Sequence, residues 1–214
     1  MINIAFLITA IVTLFLNYQI IHLFKKNDKE LEESIKEKSL NLMYAGSFFA
    51  GLVVGFMPAP LNLILLVPTV IMFVAAETDM FMQQIYSFPC LVGFAVGIGI
   101  LILIFQYDIK SYFIQVIFCA AILLVLRIVK ALNTGDIELI ISFTPYLYMV
   151  SMEFTRPEFI ESFLIYLAGS CVFALFINFR KYRKEKVQTF PFALPACFFY
   201  CSYFFVLSII NLTN

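Results

Sequence analysis

Charge is what this chain has least of: charged residues make up 13% of it, there is one histidine, and tryptophan is absent. A soluble domain carries about 25% charged residues to cover its surface. Here 63% of residues are hydrophobic and the mean hydropathy is +0.97, so much of the apolar surface must face lipid. The 214 residues leave no room for a large soluble domain beside the helices, and the chain reads as one all-α membrane domain, 1–214. A net charge of zero gives no footprint for nucleic acid. The five cysteines (Cys90, Cys119, Cys171, Cys197 and Cys201) lie inside apolar runs, and no C-x-x-C pair exists. Neither a zinc knuckle nor a disulfide framework is indicated, and no metal is expected. Cys197 and Cys201, four apart on one helix face, give a weak metal hint, outweighed by the reading as small apolar residues packing in lipid. His22, at the end of an apolar helix, reads as a packed or snorkelling side chain rather than a ligand or base. The opening run from Ile2 to Phe24 lacks a basic start and a small-residue cleavage site, which marks a retained helix rather than a signal peptide.

What is there is a series of apolar runs. A crossing helix needs roughly 20 apolar residues, and eight stretches qualify: 2–24, 40–58, 60–77, 86–106, 112–131, 137–151, 159–179 and 190–211. Met57-Pro58-Ala59-Pro60 breaks the second from the third. The sixth is short and carries Pro145, which predicts a tilted or kinked helix. Eight crossings put twelve of the fourteen lysines and arginines on one side, with only Lys110 and Arg156 opposite. The positive-inside rule then makes that side cytoplasmic and sends both termini outside, in the plasma membrane. The 25–39 segment, a cytoplasmic loop ahead of a 40–211 helical core, interleaves lysines with Asp28, Glu30, Glu32, Glu33 and Glu37. Pairs such as Glu32 and Lys36 have the i,i+4 spacing of a short solvated helix.

Acidic residues are scarce outside that loop, and ionisable groups at membrane depth are candidates for function. Asp79 ends the third apolar run, and Asp136 lies in Asn133-Thr134-Gly135-Asp136 at the junction of the fifth and sixth. They are 57 residues apart, enough for one out-and-back helical hairpin that returns both carboxylates to the same side. Gly135 permits a tight turn or a close backbone approach. Two carboxylates brought together at a partly desolvated edge share a proton. Aspartic proteolysis needs that state: one carboxylate takes a proton from water while the other protonates the carbonyl oxygen. The bland reading is that each aspartate marks a helix end.

The flanking residues favour the chemical reading. Ala75-Ala76-Glu77-Thr78-Asp79-Met80-Phe81-Met82-Gln83-Gln84-Ile85-Tyr86, followed by Leu91-Val92-Gly93, resembles the first catalytic segment of the type IV prepilin peptidases. There an apolar helix ends in Asp, followed by an Ile-Pro-Asn-like turn and a Gly-containing helix. Asn133-Thr134-Gly135-Asp136-Ile137-Glu138-Leu139 resembles their second segment, Gly-x-Gly-Asp-x-Lys-Leu, and Thr189-Phe190-Pro191-Phe192-Ala193-Leu194-Pro195-Ala196 their closing Ile-Pro-Phe-Gly-Pro stretch. The likeness covers about 40–214. Ile85-Tyr86-Ser87 replaces Ile-Pro-Asn, Asn133 replaces a glycine, Glu138 replaces a lysine, and the cysteine zinc-binding insert is missing, as in the short members.

This resemblance implies a membrane aspartic endopeptidase with Asp79 and Asp136 as its catalytic pair. It would cut a short basic leader from an apolar prepilin-like helix lying beside it in lipid. Proteolysis of this kind needs no cofactor. S-adenosylmethionine enters only if the enzyme also methylates its product, and no residue identifies such a site. Glu77 and Glu138 read either as holders of basic leader residues or as solvated helix-end charges. The presenilin and signal-peptide-peptidase group also uses Gly-x-Gly-Asp and a Pro-Ala-Leu motif, faintly echoed by Phe192-Ala193-Leu194-Pro195, but its helix order fits less well. The rival readings are a non-catalytic homologue of the peptidases and a small transporter or scaffold. A transporter favours ionisable residues near the bilayer midplane in mirrored halves, whereas here both aspartates sit at helix ends.

Overall fold

The computed structural model describes residues 4–35, 37–154, 158–185 and 192–213. Among them all regular structure is helical. A backbone leaving water can satisfy its own donors and acceptors only within a helix or a closed barrel, and the long apolar runs take the helical solution. Each of the eight expected segments carries a helix. Five of these are long and apolar enough to cross a membrane: Phe6–Asn27, Leu61–Met82, Ser87–Phe105, Ile109–Ile128 and Phe159–Phe176. Lys36, Arg156 and the 186–191 stretch, on which parts of the charge pattern and the closing motif rest, lie outside the described residues.

The chain gathers into two compact units, Met1–Gln84 with Gly169–Asn214, and Ile85–Ala168. The first holds α1 (Ile4–Asn27), α2 (Lys29–Ser34), α3 (Glu37–Gly55), α4 (Leu61–Ile64), α5 (Leu66–Met82), α10 (Ala193–Thr213) and α9 (Phe159–Glu185) from Gly169 onward. Asp28 caps α2, its carboxylate accepting from Leu31 N–H at 3.1 Å. The charge spacing of 25–39 predicts a short helix there; α2 covers Lys29–Ser34 only, so the Glu32–Lys36 pair behind that expectation extends outside it and outside the described residues. Gly51 and Gly55 set α3 directly against α1. A Cβ at Gly51 would sit 2.6 Å from Ala10 Cα, and one at Gly55 would meet Phe6 Cα. Small residues four apart let two membrane helices approach this closely, and the Thr9 hydroxyl donates to Gly51 O at 2.8 Å across the seam. α5 is the centre of this unit: Pro68 through Asp79 are buried without interruption, and α1, α3 and α10 pack around them.

The second unit holds α6 (Ser87–Ile100) with a π-helical turn Leu101–Phe105, α7 (Ile109–Ile128), α8 (Thr134–Glu153) and α9 up to Ala168. α8 is its core. Its Tyr146 hydroxyl donates to Gly93 O at 2.8 Å, and Gly97 opens a space that Pro145 fills, since a Cβ there would sit 2.7 Å from the proline ring. The rings of Tyr112, Tyr148 and Phe159 pack at centroid distances of 5.3–6.4 Å. The sequence predicts a short sixth helix over 137–151. The observed helix has 20 residues and runs continuously through Pro145, so at 1.5 Å per residue it is about 30 Å long, the thickness of a hydrocarbon core. The difference arises because its polar first turn, Thr134 to Asp136, is helical rather than loop.

Candidate active-site carboxylates

Asp79 lies in the last turn of α5, in the first unit, and is 6% exposed. The turn ends at Gln83, whose left-handed φ of 56° stops the helix while its N–H bonds back to Asp79 O at 2.9 Å. The Asp79 carboxylate accepts a hydrogen bond from the backbone N–H of Ala193 at 2.8 Å. Ala193 opens α10, and the sequence there explains the demand. Pro195 has no N–H, and Ala196 N–H bonds Phe192 O at 3.0 Å, so Ala193 and Leu194 carry the donors left over in the first turn. A carboxylate on one of them also meets the positive end of the helix dipole. Asp79 thus touches the same Phe192-Ala193-Leu194-Pro195 stretch that carries the third part of the resemblance.

Asp136 lies in the first turn of α8, in the second unit, and is 5% exposed. Its Oδ2 accepts from the Asn133 N–H at 2.8 Å, the carboxylate half of a capping box. It precedes the apolar run 137–151 within the same helix. Gly135 does not make a tight turn, since no glycine among the described residues has a positive φ. It serves close approach instead: a Cβ there would meet Ile85 Cβ at 3.1 Å.

The two glutamates depart from the solvated reading. Glu77 is 1% exposed, and its Oε1 accepts from Asn17 Nδ2 on α1 at 2.8 Å. Its Oε2 and the Asn17 Oδ1 are both buried without a hydrogen-bond partner among the described residues. Asn17, absent from the sequence expectations, had a signal of its own as an amide inside an otherwise apolar run. Glu138 is half-buried, with Oε2 lacking a partner among the described residues. No salt bridge to a described basic group holds either glutamate. All the cysteines are free, and among the described residues no cluster of three or more His, Cys, Asp and Glu could hold a metal ion. His22 is exposed and stacked on Tyr18 with centroids 6.1 Å apart. No protein-family model matches the chain, and neither does any curated protein or solved structure.

Proposed function

We propose that the chain is an eight-helix membrane aspartic endopeptidase that removes the leader of a prepilin-like substrate at the cytoplasmic face. Asp79 and Asp136 are its catalytic pair. The observation that carries this reading is the bond from Ala193 to Asp79. It joins one candidate carboxylate to the closing stretch whose likeness was read from sequence alone, 114 residues away in the chain. One further feature supports it: both aspartates are buried at helix ends, where a carboxyl is partly desolvated. In the reaction, the ionised carboxylate removes a proton from the attacking water and the protonated one donates to the scissile carbonyl oxygen. The tetrahedral intermediate then collapses with the proton passed to the leaving amine. The substrate helix lies in lipid and its basic leader faces the acids.

One observation favours a second reading, a non-catalytic homologue in which both aspartates are helix caps: each bonds a backbone N–H at a helix start. The two readings separate in a paired test. Purified protein is mixed in liposomes with a substrate carrying a basic leader, a glycine and an apolar helix, and leader release is followed on a gel. In parallel, cysteines at 79 and 136 on a cysteine-free background are treated with short bifunctional thiol reagents. The peptidase reading expects cleavage by the wild type, none by Asp136→Asn, and efficient cross-linking of the pair. Absence of cross-linking with every short reagent would sink the dyad.

A further inference from the structure

A polar cavity in the first unit is absorbed by neither reading. It has a volume of about 330 Å³ and is lined by Tyr18, His22 and Lys25 of α1 and by Leu40, Asn41 and Tyr44 of α3. We propose that it binds the phosphodiester of an anionic phospholipid headgroup.

The lining chemistry selects the ligand. Five of the six lining side chains can donate a hydrogen bond: two phenol hydroxyls, an imidazole, an ammonium and an amide. Among the described residues no carboxylate lines the cavity. Among the described residues none of these five side chains has a hydrogen-bond or ion-pair partner of its own. The Tyr18 ring fixes the geometry by stacking on His22 and tilting against Tyr44, with ring centroids 6.1 and 5.6 Å apart. A set of donors with one cation suits an acceptor-only anion with several oxygens, which is what a phosphodiester offers. The buried acid of this unit, Glu77, accepts from Asn17 Nδ2 at 2.8 Å.

The position selects a lipid over a soluble phosphate. The cavity occupies the last three turns of the Phe6–Asn27 run, where that helix gives way to Lys25 and Lys26. Its inner wall rests on the apolar cluster of Ile21, Leu40, Val70 and Val74. On the outside, Leu23 beside His22 and Leu42 beside Asn41 are 55% and 74% exposed. These exposed side chains next to lining residues offer acyl chains an apolar surface. Basic groups at the end of a crossing helix commonly meet anionic lipid. What this site adds is a shaped recess with uncharged donors around one cation.

The test uses the full chain purified in detergent and returned to nanodiscs of phosphatidylcholine alone or doped with phosphatidylglycerol, with retained lipid counted by native mass spectrometry. The wild type is expected to retain phosphatidylglycerol about tenfold over phosphatidylcholine. Tyr44→Phe removes one hydroxyl and no charge, and should weaken retention about fivefold. His22→Leu with Lys25→Met should abolish the preference while leaving the thermal midpoint in phosphatidylcholine unchanged, since both side chains reach the surface. Lys110→Met, an exposed lysine elsewhere, should change nothing. Equal loss with Lys110→Met, or no effect of Tyr44→Phe, would overturn the site in favour of general surface charge. Displacement of the lipid by millimolar inorganic phosphate would overturn the lipid assignment and leave a soluble-phosphate site.

Discussion

Replacing Asp79 separates the two jobs its carboxylate is asked to do. Asp79→Ala removes the acceptor from a buried Ala193 N–H, and an unsatisfied buried donor costs about 1–3 kcal/mol. The same loss seen as a missing helix cap is about 1 kcal/mol, with a further contribution of up to about 1 kcal/mol from the charge at the helix dipole. These descriptions overlap, and together they give about 2 kcal/mol. In a chain of this length each kcal/mol moves the thermal midpoint by about 2–4 °C, so the expected fall is about 4–8 °C. Asp79→Asn keeps a carbonyl oxygen for Ala193 and forfeits only the charge, so its midpoint should fall by less than about 3 °C. Proteolysis responds differently. Neither residue can exchange a proton as an acid–base partner, and both should lose at least about a hundredfold in leader cleavage. The assay is a melting curve in one detergent beside a cleavage time course for the three proteins. If Asp79→Asn cleaves like the wild type while Asp79→Ala does not, the carboxylate is a cap and not a catalyst. If both melt equally low, the capping argument is wrong.

Two other perturbations bear on separate parts of the fold. Glu77→Gln supplies an amide N–H to the unpartnered Asn17 Oδ1 and should leave the midpoint within a few degrees, whereas Glu77→Ala leaves Asn17 unsatisfied beside a void and should cost about 2–4 kcal/mol. Equal loss in both would show that the negative charge itself is needed. For topology, single cysteines at Lys29, Gln83 and Asn133 on a cysteine-free background should resist a membrane-impermeant thiol reagent applied from outside, and one at Tyr107 should react. External labelling at Asn133 would break the eight-crossing arrangement.

The sequence carries the helices well because lipid simplifies the problem: a long apolar run must close its own hydrogen bonds, and few alternatives exist. The breaks were equally readable at Met57-Pro58-Ala59-Pro60 and in the 25–39 charges, where Asp28 caps a short helix. The sixth helix is longer than its apolar run because Thr134 to Asp136, though polar, form its first turn. The surroundings of the acids were the least accessible part. Glu77 looks like a surface charge when only its neighbours in sequence are considered. It is buried because α1 passes over it and Asn17 offers an amide, a tertiary fact with no local signal at position 77. At Gly135 the sequence permits a tight turn or a close approach, and the side chain of Ile85 lying against the helix decides for the second.

A cap and a catalyst are not exclusive roles for one carboxylate, and the geometry at Asp79 shows how they can combine. A backbone N–H at 2.8 Å holds the side chain in one orientation, as a general base requires. Asp136 accepts one N–H as well, from Asn133 at the start of its own helix. The two carboxyls are thus capped alike but by different helices. Acid–base pairs in hydrolytic enzymes divide the two roles by a difference in environment. In the proposed peptidase the assignment to test is Asp79 taking the proton from water and Asp136 giving one to the carbonyl. The order is testable in the acid limb of the cleavage profile. Asp136→Glu, which keeps a carboxyl and changes its burial, should shift the alkaline limb and leave the acid limb in place. Movement of the acid limb instead would reverse the two roles.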